Sequence, residues 1–340
     1  MKTKPRTSEG NRKSRWMAPT LFSTIVSVLS TVGCDAPAPE GARPETVSSA
    51  GSIFSLEYPP SDATISPFDP SATKPGERRV LAIGDVEFAF LYCPPGAFTM
   101  GSPKGKGRED ERPQRRVSLT KGFWLMETEL TQRQWTAITG MNPSYFKGEK
   151  LPVERVSWND LALFCDALND KLQAAPTGWR FDLPTEAEWE YACRAGTSAT
   201  YYWGDDYLEN KANCDSGNRE TYLGKTANVA SYAPNPWGFY DMGGNVWEWV
   251  RDWREEDWRE KTRTTESTES PENDQIVEIA DPIGPSGGIY RVQRGGAWSN
   301  SPEYCRSASR FARGADERHI VVGARIALVS NDEGDAPSLL

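Results

Sequence analysis

Glycine and proline punctuate this chain too often for long regular elements: 29 Gly and 25 Pro are spread over its 340 residues. Each is a place where a helix or a central strand ends or bends. The apolar content, 37%, leans on rings, with 13 Trp, 12 Tyr and 12 Phe. A core here is built from bulky aromatics held between turns. The net charge of −9 understates the acidity of the folded part, because residues 1–33 hold six Lys/Arg against one Glu. So acidic a surface repels phosphate backbones, which excludes nucleic acid as a partner.

The flanks read as separate from the fold. Lys2, Lys4, Arg6, Arg12, Lys13 and Arg15 form a positive n-region, followed by a moderately apolar stretch from Trp16 to Val32. It reaches Thr31-Val32-Gly33-Cys34, which is similar to a bacterial lipobox with Cys34 as the lipidated residue. Residues 1–34 are therefore expected to be a lipoprotein-type signal segment, tying an exported chain to a bacterial envelope membrane. A plain cleaved signal peptide, or one anchor of about 17 residues, stays open at this point. Residues 35–78, rich in Pro with few apolar residues, are expected to be a disordered linker. The domain is expected at 79–330, with a flexible acidic insertion at 254–280 and a disordered tail at 331–340.

Within the domain, Val86–Leu91 and Ala97–Met100 suggest a hairpin turning at Cys93-Pro94-Pro95-Gly96, with Val117–Leu119 and Phe123–Met126 continuing its sheet. Thr131 with Gln134, Ser157 with Asp160 and Thr185 with Glu188 have the spacing of helix N-terminal capping boxes. After the second, Leu161, Phe164, Cys165, Leu168 and Leu172 recur at helical spacing, so one face packs inward. Short strands are expected near Arg291–Arg294 and within Ile320–Val329. The class is α+β with little regular structure.

Several catalytic arrangements are excluded. The sole histidine, His319, cannot build a multi-histidine metal site, and it fits a strand edge better than a catalytic triad. No phosphate-cradling glycine loop is present. The lectin-like string Trp158-Asn159-Asp160 opens a helix and is discounted.

Seven blocks in one order carry a stronger signal: PPGAFTMGS (94–102), DERPQRRVSL (110–119), METELTQRQW (126–135), LPVERVSWND (151–160), RFDLPTEAEWEYACRAGT (180–197), WGFYDMGGNVWEWVRDW (237–253) and VQRGGAWSNSPEYCRSASR (292–310). Together with GAR at 323–325, the segment resembles the formylglycine-generating enzyme (sulfatase-modifying factor) family. That resemblance implies a compact, irregular α+β fold, distantly similar to C-type lectins. It also implies an activity, the oxygen-dependent oxidation of a protein cysteine to formylglycine on Cu(I) held by two thiolates.

The resemblance places the second copper cysteine at Cys305 and the first at Asn300. An amide does not replace a thiolate on a soft ion, so copper is not expected. By the family's threading, Cys193 and Cys305 come close enough to suggest a disulfide. The same threading implies structural calcium, held by the side chains of Asp241 and Glu248 and the carbonyls of Gly244 and Val246. A second calcium position involves Asn213 and the carbonyl of Cys214. A plainer role for Glu248 is as partner to an arginine such as Arg251. Two function classes follow. One is a calcium-stabilised binding or scaffold module for a protein, peptide or glycan, with Trp237, Trp247, Trp249, Trp253 and Trp298 available for a cleft or for the core. The other is an oxidoreductase using Cys305.

Overall fold

The computed structural model describes residues 64–255 and 278–331. The signal segment, most of the linker, the middle of the acidic insertion (256–277) and the tail after Asn331 lie outside the described residues. All the described residues belong to one unit.

Among the described residues, three sheets and three short α-helices make an α+β fold. A five-stranded sheet runs in the order β1 (Arg78–Ile83), β2 (Val86–Cys93), β5 (Phe123–Met126), β12 (Ala327–Ser330) and β6 (Trp179–Asp182). A four-stranded sheet runs β10 (Arg310–Gly314), β9 (Tyr290–Arg294), β7 (Trp247–Trp253) and β11 (Val322–Gly323). The third is β3 (Gly96–Met100), β4 (Arg115–Leu119) and β8 (Glu278–Ala280). Among the described residues no helix is long and apolar enough to cross a membrane.

All three capping boxes are present. Thr131 caps α1 (Gln132–Thr139), Ser157 caps α2 (Trp158–Asp166) and Thr185 caps α3 (Glu186–Arg194), each with reciprocal hydrogen bonds. Such a pair satisfies two orphan backbone donors, which lets helices of two to three turns hold their ends. Gly140 closes α1 in the left-handed conformation, as its position predicts.

The expected hairpin does not form. Strand β2 pairs with β1 and β5, whereas β3 pairs with β4 in another sheet. Pro94 and Pro95 offer no backbone donor to a ladder, so the chain leaves one sheet there and enters the next. The packed domain also reaches further upstream than composition suggests. Ile65 bridges to Ile83, and Phe68 packs edge-on against Phe90 and Trp124. The acidic insertion is shorter at both ends. Buried Arg254 pairs with Asp110 at 2.7 Å, and Glu278–Ala280 runs parallel to β4.

Indole rings fill the core, as the composition requires: Trp124, Trp135, Trp158, Trp189, Trp249 and Trp298 are all buried. Trp247 is buried with them, while Trp237 and Trp253 are half-exposed. The tryptophans weighed for a recognition cleft are thus mostly core. Two buried arginines tie the sheets to the loops. Arg294, ending β9, donates to the carbonyls of Ser307, Ala308 and Ser309 and pairs with Glu190 of α3. Arg325, following β11, forms a two-point pair with Glu248 of β7 at 2.7 and 2.8 Å.

Candidate functional site

Residues 241–246 form a turn that much of the site is hung on. Asp241, Gly244 and Asn245 have φ of 55°, 83° and 62°, values that Asp and Asn tolerate better than other side chains. At Gly244 a side chain has no room, since a Cβ would lie 2.4 Å from the carbonyl oxygen of Asn213. Asn245 is the hub. Its backbone N–H donates to the Asn213 carbonyl at 2.8 Å, and its carbonyl accepts from Trp298 at 2.9 Å. Its side-chain oxygen accepts from Ala227 and Asn213, and its amide donates to Glu129.

Beneath the turn lies a buried acidic group. Glu129 accepts from the Val246 N–H at 3.0 Å, and Glu248 accepts from the Trp189 indole at 2.8 Å. With Asp241 these make three buried carboxylates around one guanidinium, that of Arg325. Burial, then the charges of Asp241 and Glu248, hold the Glu129 carboxyl well above the usual range. Burial also pushes Asp241 up to about 6, with Glu248 adding to the rise. Glu129 was missed in the sequence because it lies in another block and its role depends on tertiary packing alone.

The arginine facing Glu248 is Arg325 and not Arg251, which sits near Asp182 at 3.8 Å. The pairing of β7 with β9 breaks register between Trp249 and Trp253, so Arg251 lies in an irregular stretch beyond the regularly paired Glu248. The three carboxyls outnumber the one cation here, and unpaired buried charge is costly, so a calcium ion could offset the surplus. Asp241, with the carbonyls of Gly244 and Val246, are the residues that could hold it. Glu248 is committed on both oxygens to Arg325, so its share as a ligand is the smaller one. Among the described residues no three acidic, Cys or His side chains form a ready-made metal cage. Asn213, named for a second position, spends its amide on the Lys225 carbonyl and on Asn245.

The RGG turn brings Asn300 and Cys305 to the same place. Gly296 has φ of 80°, and a Cβ there would come within 2.7 Å of the Tyr304 carbonyl, so the turn presses directly on the short 3-10 helix Pro302–Cys305. Asn300 is buried, and its side-chain oxygen accepts from the Trp247 indole at 2.8 Å. Its carbonyl accepts from the Asp215 N–H at 2.8 Å. That bond carries the Asn213–Asp215 loop across to Cys305.

There, two thiols meet. Cys214 and Cys305 are hydrogen-bonded to each other and form a buried cluster with Tyr201, against which Trp203 and Tyr207 pack. The Cys214 sulfur also lies 3.3 Å from the Tyr207 hydroxyl. The hydrogen bond from Cys305 lowers the Cys214 pKa and raises that of Cys305. Cys193 is not the partner of Cys305. Its sulfur contacts the Met242 carbonyl at 3.6 Å, burial pushes its thiol up to about 12, and it is unbonded. Helix α3 turns Cys193 toward the 241–246 turn, whereas Cys305 faces the 214 loop. Sequence spacing offered no signal for the 214–305 contact.

A family model for the sulfatase-modifying factor enzyme 1-like domain matches residues 87–329. A formylglycine-generating enzyme of Thermomonospora curvata is 36% identical over 208 residues, spanning 57% of this chain and 60% of that one. Among solved structures, Treponema denticola variable protein 1 superposes with a TM-score of 0.62 at 28% identity, covering 74% of this chain and 98% of that one. PvdO from Pseudomonas aeruginosa gives 0.59 at 25% identity, covering 76% and 99%.

Proposed function

Because the chain belongs to the sulfatase-modifying factor enzyme 1-like domain family, we propose that it keeps the family scaffold as a calcium-stabilised binding module for a protein, peptide or glycan, held outside the membrane by Cys34. The observation that carries this reading is Asn300. Its amide stands at the position of a copper thiolate and is fixed there by the Trp247 indole, so the loop has settled around an oxygen and not a sulfur. Cu(I) is soft and gains little from an amide oxygen. The basic run from Lys2 to Arg15, the lipobox-like Cys34 and the Pro-rich stretch after it support placement at an envelope surface.

One observation favours a second reading. Cys214 supplies a thiol beside Cys305, so an oxidase using Cys305 has a second sulfur available from another loop. Two thiolates suit Cu(I) by donor type, and the ion would supply oxygen activation. In either case the protein's own contribution is to hold Cys214 and Cys305 on pinned loops under an aromatic cover.

An anaerobic Cu(I) titration against a competing chelator separates the two. The binding-module reading expects weak retention in the parent and tighter retention after Asn300→Cys. It also expects no formylglycine in a cysteine peptide once oxygen is admitted. Tight binding in the parent that Cys214→Ser abolishes, or formylglycine made by the parent, would instead establish the oxidase.

A further inference from the structure

Cys214 and Cys305 come from segments separated by the whole WEW block and the acidic insertion, yet their side chains share one buried cluster. Both backbones are fixed before any bond forms. The residues on either side of Cys214 are pinned, Asn213 by the Asn245 N–H at 2.8 Å and Asp215 by the Asn300 carbonyl at 2.8 Å. Cys305 closes the short helix on which Gly296 rests. The remaining described cysteines, Cys93, Cys165 and Cys193, are buried and unbonded, and burial raises the pKa of each.

We propose that Cys214 and Cys305 form a reversible disulfide, made and broken by exchange with a small disulfide–thiol couple that reacts first at Cys214. Cys214 is the more accessible of the two, 6% exposed against 1%, and it lies beside the Tyr207 hydroxyl. Its thiolate attacks one sulfur of the incoming disulfide. A mixed disulfide forms on Cys214, and the other half leaves as a thiolate. Cys305 then gives up its proton and attacks the Cys214 sulfur, and the second thiolate leaves. One incoming disulfide is reduced to two thiols, and the protein dithiol is oxidised to a disulfide. The new bond ties the Asn213–Asp215 loop to the Pro302–Cys305 turn and closes a long chain loop, so it stabilises the domain. It also removes both thiols from any soft metal. The proposal rests on the thiol contact and is independent of the Asn300 argument above.

The test uses the full chain, with oxidised glutathione as the probe and peptide mapping by mass spectrometry without reductant. The parent is expected to give a Cys214–Cys305 cross-linked peptide that dithiothreitol removes, and a melting temperature higher in the oxidised form by about 5 °C or more. Cys305→Ser is expected to trap one glutathione on Cys214, while Cys214→Ser leaves Cys305 unmodified over the same interval. The parent mapping needs no variant, so misfolding of either serine form does not blunt the test. Absence of that cross-link from the oxidised native parent, or first modification at Cys305, overturns the proposal.

Discussion

Two buried regions sit side by side in this domain and are held in opposite ways. Under the WEW and RGG turns, charge does the holding: Arg325 on Glu248 and Arg294 on Glu190. In the corner between the Asn213–Asp215 loop and Cys305, sulfur and aromatic rings do it, with Tyr201 stacked on Trp203 at 4.8 Å. The first region cannot lose one partner without stranding a charge. The second can exchange a side chain and lose only packing. That contrast suggests where a family scaffold resists substitution and where it tolerates it.

The sharpest way to break this comparison is to cut one partner from each region. Glu248→Ala strands Arg325 in the interior, and losing one half of a buried pair costs about 3–5 kcal/mol. Cys214→Ala leaves a small cavity and no stranded charge, so about 1 kcal/mol is expected from the lost packing. Urea denaturation of the reduced proteins measures both. Equal losses would show that the thiol corner is as much a part of the scaffold as the ion pairs.

Calcium is the next largest expected effect. A cation that neutralises the surplus carboxylates stabilises only the folded state, by about 2.7 kcal/mol at a hundred times its dissociation constant. Adding calcium to chelator-treated protein should raise the melting temperature, and Asp241→Asn should abolish most of the rise. Asp241 is the better probe than Glu248, because removing Glu248 strands Arg325 whether or not a metal binds. A parent protein indifferent to calcium would leave the three carboxylates to proton binding alone.

Asn300→Ala should cost less, about 1–3 kcal/mol, by leaving the buried Trp247 indole N–H without its acceptor. Asn300→Asp, which restores an acceptor, should recover part of the loss. If Asn300→Ala is neutral, the amide is not what holds that loop, and the argument from position 300 weakens.

What could be read from the sequence divides along the same line. The capping boxes at Thr131, Ser157 and Thr185 were recoverable because three residues of spacing contain the whole interaction. The motif blocks located the 241–248 turn and the RGG turn that leads to Asn300 and Cys305. Sheet membership was not recoverable at Pro94-Pro95, where the same residues suit a tight turn or a crossing between sheets. Nor were the partners of Glu248 and Cys305. Arg325 and Cys214 reach them through strand order and loop packing, which no local spacing encodes, and Glu129 joins the acidic group from the far side of the chain.

The smallest change at a fixed pH is expected from Glu154→Gln, and it separates the two regions by their response to pH. Burial pushes Glu154 up to about 8, against hydrogen bonds from the Phe146 and Tyr145 backbone and the charges of Arg155 and Lys147. One oxygen accepts from Phe146 at 2.8 Å, and the other has no hydrogen-bond partner among the described residues. Asp252, also buried, is held at about 7, and Asp241 at about 6. In each case the folded state binds the proton more tightly than the unfolded chain does. Their contribution is therefore complete below the ordinary carboxylate range, falls as pH rises above it, and is lost once pH has passed about 6 for Asp241, 7 for Asp252 and 8 for Glu154, with a slope of at most about 1.4 kcal/mol per pH unit for each group. Glutamine mimics the protonated acid, so at pH 5 Glu154→Gln should stay within about 1 kcal/mol of the parent. Between pH 6 and 8 it should lose less stability than the parent does. Denaturant midpoints across that range, without calcium, give the comparison. Thiol modification of Cys214 should run the other way, faster as pH rises, because its thiolate is the reactive form. Parallel stability slopes in parent and Glu154→Gln would remove Glu154 from the set of buried groups that make the scaffold sensitive to pH.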